Sequence, residues 1–207
     1  MSTLATGGRV VPEAWIDYNG HMMDAYYCVA FTEATEAFLD HVGLGAAYQA
    51  ESRCGMYTVE SHVCFAKSVR GGATVRYESQ LLGWDDKRLH LFHQMVEPDG
   101  DQAATSELML LHVDLATERV TPMPPARSRA VQLVASAQAP LPTPQNAGMQ
   151  IRLPAFCGGR NAAWALATSW TARERAGGMG VTRSVARSTC RSISSFVATW
   201  PPPGSTI

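Results

Sequence analysis

Asp17, Gly20 and His21 sit close together in the stretch WIDYNGHMMDAYY, residues 15–27, and Asp24 follows His21 at helical spacing. Helical periodicity begins just after the glycine. The first N–H groups of a helix have no internal partners and carry partial positive charge. Backbone at Gly20, His21 and Met22 can therefore hold an oxyanion. A carboxylate slightly upstream, Asp17, can attack a carbonyl carbon or draw a proton from water. Together these groups suit hydrolysis at a carbonyl. A plainer reading competes with it: Asp17 or Asn19 caps the helix, Gly20 serves a turn, and His21 is structural.

The elements that must position these groups are readable from hydrophobic spacing. Tyr27, Ala30, Phe31, Ala34, Phe38 and Val42 recur at intervals of three and four. They predict one long helix over 22–42 with an apolar stripe, stopped by Gly43. A short strand is expected before it, over 7–13, ending near Pro12. After a polar loop the period becomes two. In 56–65, Tyr57, Val59, Val63 and Phe65 are expected on the inward face, with Thr58, Glu60 and His62 on the other. Residues 74–84 alternate in the same way, with Val75, Tyr77 and Leu81 together. DDK at 85–87 reads as a tight turn, and strands are expected over 88–96 and 103–114. Four strands joined by short turns predict an antiparallel meander. A lone helix with a long stripe is most economically buried by one curved sheet wrapped round it, an α+β layout.

Composition narrows the classes. Hydrophobic residues make up 46% of the chain, enough for a core, and a net charge of −1 gives no general attraction to nucleic acid or an anionic membrane. Five cysteines without a C-x-x-C spacing argue against a disulfide framework or a structural zinc site. No basic start leads into an apolar core, and no apolar run approaches the roughly 20 residues of a membrane span. A cytoplasmic protein is expected. His90 and His93 fall on opposite strand faces and cannot share a metal, while His112 and Asp114 alone make a weak pair. There is no G-x-S-x-G elbow and no dinucleotide fingerprint. Neither metal nor cofactor is expected.

From Pro122 the pattern changes. Proline-rich segments flank a short expected helix over 127–138. Beyond about Pro154 the patterning fades, and 155–207 is rich in Arg, Ser, Ala and Gly. Two readings stay open for it: a poorly ordered tail, or an out-of-frame extension. The expected domain is 1–154.

With the element order in view, the motif is familiar. DYNGHM, Asp17 to Met22, resembles the D-x-x-G-H motif of acyl-CoA thioesterases in the 4-hydroxybenzoyl-CoA thioesterase group of the hotdog fold. The resemblance covers about 8–154. More narrowly, WIDYNGHM, YTVESHV, QLLGWDDKRLHLFHQM and ATSELMLLHVD are similar to the betainyl-CoA thioesterases of carnitine breakdown, some of them fused to L-carnitine dehydrogenase. The resemblance implies hydrolysis of betainyl-CoA to glycine betaine and CoA. It makes Asp17 the base or nucleophile and the backbone after Gly20 and His21 the oxyanion site. It also implies a homodimer, or a homotetramer, with sheets joined edge to edge; this hides an open sheet edge. Relatives often carry Asn where this chain has Met23.

A betainyl group ends in a trimethylammonium, which aromatic faces can hold. Trp15, Tyr18 and Tyr26 are the expected faces, with Glu60 adding negative charge; Tyr27 and Tyr57 are expected in the core. Lys87 and Arg88 are candidates for a CoA phosphate. A second reading keeps the fold without the chemistry: a non-catalytic module binding acyl-CoA or a small quaternary ammonium ligand. A dehydratase acting on acyl thioesters is a third and lesser reading.

Overall fold

The structure, a computed structural model, describes residues 2–148 and 151. All of them fall in one compact unit, Met1–Ala155. The segment expected as a tail, 155–207, lies outside the described residues.

The long helix α1 runs from Asp24 to His41 and buries Tyr27, Ala30, Phe31, Ala34, Thr35, Phe38 and Leu39. Gly43 follows its last turn with φ of 70°, and its N–H bonds the carbonyl of Asp40 while Leu44 N–H reaches back to Leu39. This left-handed terminator is the stop that the sequence predicts. A second helix, α2, spans Ala46–Ser52, where only a polar loop was expected. Its one buried residue, Tyr48, anchors it through a hydroxyl bond to His112 (2.9 Å).

The strands are β1 Leu4–Val10, β2 Cys54–Phe65, β3 Thr74–Trp84, β4 Arg88–Val96, β5 Gln102–Asp114 and the short β6 Arg119–Val120. All pairs are antiparallel, in the order β1-β3-β4-β5-β2, with β6 added to β5. The expected four-strand meander is therefore corrected: β3, β4 and β5 form one, but β2 crosses to the far edge and pairs with β5. β1 takes the place beside β3. α1 lies against the inner face in two apolar clusters. One joins Tyr27 and Phe31 to Val75, Tyr77 and Met95; the other joins Phe38 and Leu39 to Leu89, Leu91, Leu108 and Leu110.

β2 departs from its expected faces as well. Its register slips between Thr58 and Glu60, which pair with the adjacent residues Leu110 and Met109. One extra residue in β2 reverses the alternation. Met56 faces inward before this bulge and Val63 after it. Tyr57 is thus not a core residue: it is 50% exposed, and Val59 is 53% exposed.

Helix α3, Pro125–Gln138, extends the expected 127–138 by two residues at its start. Its last residue completes a sheet edge. Gln138 accepts a hydrogen bond from Leu81 N–H (2.8 Å) and donates to Ser79 C=O (3.0 Å). β1 pairs with β3 only as far as Ser79, so the amide side chain serves as the missing strand.

Candidate active site

The DYNGHM stretch folds as a tight loop closed by a bridge between Ile16 and Met22. Asp17 N–H bonds His21 C=O (2.9 Å), and Gly20 N–H bonds Asp17 C=O (3.0 Å). Gly20 has φ of 77°, which a side chain would strain. Within the loop the Asp17 carboxylate accepts Asn19 N–H (2.8 Å) and the Asn19 amide (3.0 Å). His21 N–H stands farther off, at 3.5 Å. The Asn19 amide, helped by the two backbone N–H groups, holds the Asp17 carboxyl below its usual range. Asp17 is therefore a carboxylate at neutral pH.

Asp17 caps this loop and not the helix. The N-cap of α1 is Met23, which makes no side-chain cap bond. Backbone donors near the helix start are unequally committed. Met22 N–H bonds Val69 C=O (2.8 Å), Met23 N–H bonds Trp15 C=O (2.9 Å), and Gly20 N–H is used in the loop. Among the described residues Asp24 N–H has no hydrogen-bond partner. Of the three expected oxyanion positions, only His21 keeps a loosely held N–H; Asp24 is the further open donor.

A cavity of about 300 Å³ opens at this end of α1, and its lining includes His21, Met22, Asp24, Tyr27, Phe65 and Lys67. Phe65 meets Tyr27 edge to face (4.9 Å between centroids). The Tyr27 hydroxyl accepts Val69 N–H (3.3 Å), and burial pushes the phenol above its usual range. Asp17 is not among the lining residues; it is joined to them through His21 N–H. Sequence spacing does not bring Phe65, Lys67 and Ser68 to this site; only the fold carries the end of β2 to the start of α1. Asp24 was visible through its spacing from His21.

The other expected binding residues are dispersed. Trp15 stacks on Tyr26 (4.8 Å, 6° between planes), and the Arg9 guanidinium lies 3.9 Å from the Trp15 ring centre. Arg9 is also paired with Glu33 (2.6 Å). Tyr18 is 97% exposed. Glu60 is exposed opposite Met109, on the sheet face away from α1. No cage of Trp15, Tyr18, Tyr26 and Glu60 forms within this chain, since the Trp15 ring already has a cation of its own. The expected phosphate pair, Lys87 and Arg88, sits where the turn enters β4. Arg88 is buried and bonded to Asp85 (Nε to Oδ2, 2.7 Å), and Lys87 is half-buried beside it. Asp85 also accepts both backbone N–H groups of that pair, so its role is to shape the turn.

A second polar cluster lies under the middle of α1. His93 is wholly buried and stacks on Phe31 (6.3 Å). Thr35 Oγ1 donates to Phe31 C=O (2.8 Å), so it accepts from His93 Nε2–H (3.0 Å). Ser79 then donates to Nδ1 (2.6 Å), and the Thr6 and Ser79 hydroxyls are hydrogen-bonded to each other (2.7 Å). Burial depresses the His93 pKa to about 3. On the opposite face of β4, His90 meets Glu107 (2.6 Å), so the two histidines do diverge. No group that could hold a metal occurs among the described residues.

Comparison with known proteins agrees with this architecture. The model of the Thioesterase-like superfamily matches residues 11–132. This chain belongs to that superfamily. Its fold is the hotdog, and the chemistry of the family is thioester hydrolysis. Among curated proteins, a betainyl-CoA thioesterase of Pseudomonas aeruginosa is 42% identical over 146 residues, which cover 70% of this chain and 91% of that one. An L-carnitine dehydrogenase/betainyl-CoA thioesterase of Agrobacterium fabrum is 46% identical over 138 residues. That match covers 67% of this chain and spans 28% of the relative's length. A Staphylococcus aureus protein solved in complex with CoA is 26% identical with a TM-score of 0.67, covering 74% of this chain and 98% of that one. No helix among the described residues is long and apolar enough to cross a membrane.

Proposed function

We propose that this chain hydrolyses a short cationic acyl-CoA, betainyl-CoA, to glycine betaine and free CoA. The observation that carries the reading is the ionised Asp17 carboxylate in the loop that leads to the loosely held His21 N–H and to Asp24 N–H, which has no partner among the described residues. The two curated relatives named for betainyl-CoA support the choice of acyl group. One of them joins that activity to an L-carnitine dehydrogenase, which supports a role in carnitine breakdown.

Asp17 acts in one of two ways. As a base it takes a proton from water, whose oxygen attacks the thioester carbonyl. As a nucleophile it attacks that carbon itself, and water then hydrolyses the anhydride. In both cases the carbonyl oxygen gains negative charge, the C–S bond breaks, and CoA leaves as the thiol. Donors at His21 and Asp24 face that charge. In characterised hydrolases one such donor is worth about 3 kcal/mol.

The working form is a homodimer or a larger even assembly. Among the described residues β2 pairs on one side only, with β5, and it carries exposed Tyr57 and Val59 along its length. An open apolar edge of this kind is normally covered. Sedimentation velocity reads this directly, and a monomer at micromolar concentration contradicts it.

The activity test is release of CoA thiol from betainyl-CoA beside acetyl-CoA and 4-hydroxybenzoyl-CoA. Betainyl-CoA is expected to be turned over fastest. Preference for either of the others removes the cationic substrate but keeps the hydrolase. Binding of CoA or betaine with no turnover of any of the three favours the non-catalytic reading.

A further inference from the structure

We infer that the trimethylammonium of the substrate is held in the cavity at the start of α1, by the Asp24 carboxylate and the Tyr27–Phe65 aromatic pair. This rests on the reading of a cationic acyl group given above.

The cavity offers both charge and aromatic surface. Its lining includes one carboxylate, Asp24, and two aromatic rings packed edge to face. A quaternary ammonium has no N–H to donate, so it is recognised by aromatic surface and by charge. One Asp24 oxygen is used locally, accepting Ala25 N–H (2.8 Å), and no bond engages the other. At about 300 Å³ the space is at the small end for a ligand pocket. It suits an acyl head group and not the body of CoA.

The field around the cavity also favours a cation. Lys67 also lines the cavity, yet its ammonium is surrounded by Glu97 (2.6 Å), Asp101 (3.0 Å) and Asp99 (3.7 Å). Three carboxylates against one ammonium leave the neighbourhood negative, and Asp24 adds to it. Such a field draws a cation and repels phosphate, so the CoA phosphates enter elsewhere. The rival aromatic site is filled from within: Trp15 is covered by Tyr26 and Arg9.

Spacing within the substrate points to the same place. In a betainyl thioester one methylene separates the carbonyl carbon from the ammonium nitrogen. The oxyanion donor and the cation acceptor must therefore be near neighbours. Asp24 supplies both from a single residue: an open backbone N–H and a carboxylate. The carboxylate also offsets the repulsion that the positive helix end exerts on a cation.

The test compares kcat/KM for betainyl-CoA with that for 3,3-dimethylbutanoyl-CoA, its uncharged isostere. Wild type is expected to favour the cation. Asp24→Asn is expected to lower that ratio roughly threefold to tenfold, mainly through KM for betainyl-CoA. Phe65→Leu, at an exposed position that leaves the core intact, is expected to lower it in the same direction. An unchanged ratio in both variants overturns the inference, whatever happens to the absolute rates. If wild type cleaves neither thioester, the hydrolase reading falls on its own. Calorimetric binding of glycine betaine then decides the subsite: weaker binding by Asp24→Asn supports it, and equal binding or none overturns it.

Discussion

Helix α1 touches two polar clusters that differ in one respect. Under its middle, the Thr6, Ser79, His93 and Thr35 side chains form a chain in which each donor has an acceptor and the imidazole has both nitrogens bonded. At its start, Asp17 is charged, Asp24 N–H is open, and a cavity lies alongside. The first cluster is complete without a ligand; the second is not. Buried polarity that closes on itself fixes the packing of helix on sheet. Polarity left open at the surface, and backed by a rigid helix, is what a reaction can use. A histidine is the more familiar catalytic residue, yet here the wholly buried one is structural.

The largest effect that separates the two is on rate. Asp17→Asn should lower kcat by about 10² to 10⁴. Its effect on stability should stay within about 0.5 kcal/mol, since the loop is at the surface. His93→Leu should do the reverse. Ser79 and Thr35 would lose their partner in the core, and chemical denaturation should show a loss of about 2 to 3 kcal/mol. Turnover per folded molecule should persist. If His93→Leu abolishes turnover in protein shown to be folded, the division between the clusters is wrong.

Acid sharpens the comparison. The His93 pKa is depressed in the fold, to about 3 from an ordinary 6.5. Its neutral form therefore contributes fully above pH 6.5, and that contribution is lost as pH falls toward 3. Between pH 6.5 and 5 the expected loss is about 2 kcal/mol, read from denaturation at a series of pH values. Asp17 shifts below its ordinary 3.8, so it stays ionised through the same window. Turnover per folded molecule should show no inflection from Asp17 between pH 6.5 and 4. An acid limb with an apparent pKa near 6, traced to Asp17, would contradict the geometry.

The smallest effect concerns Met23. It occupies the N-cap of α1 without a side-chain bond. Met23→Asn should supply a cap and stabilise the protein by about 1 kcal/mol, seen as a higher Tm. A neutral or destabilising result would mean that the extended backbone at Met23 does not admit the capping rotamer.

Much of this arrangement was legible from residues alone, for reasons that are local. The stripe from Tyr27 to Val42 and the stop at Gly43 follow from helical spacing and from the freedom of glycine. Alternation marked β3, and the loop chemistry of Asp17, Asn19 and Gly20 depends on near neighbours. What the sequence concealed depends on distant pairing. No local pattern says that β2 pairs with β5 and not β3. One extra residue near Val59 reverses the face of Tyr57, and alternation cannot show it. The Trp15 ring reads as an open face in the sequence, but Arg9, from β1, lies on it. The acids beside Arg88 are visible in the sequence, but only the fold shows that Asp85 binds its guanidinium. Phe65 and Lys67 reach the start of α1 only through the folded sheet.

The central claim is that the open cluster does chemistry and the closed one does not. The most direct test is release of CoA thiol from betainyl-CoA by wild type, Asp17→Asn and His93→Leu, side by side and normalised to folded protein. The account predicts a loss of at least about a hundredfold for Asp17→Asn and a near wild-type rate for His93→Leu. Retained turnover in Asp17→Asn would contradict it.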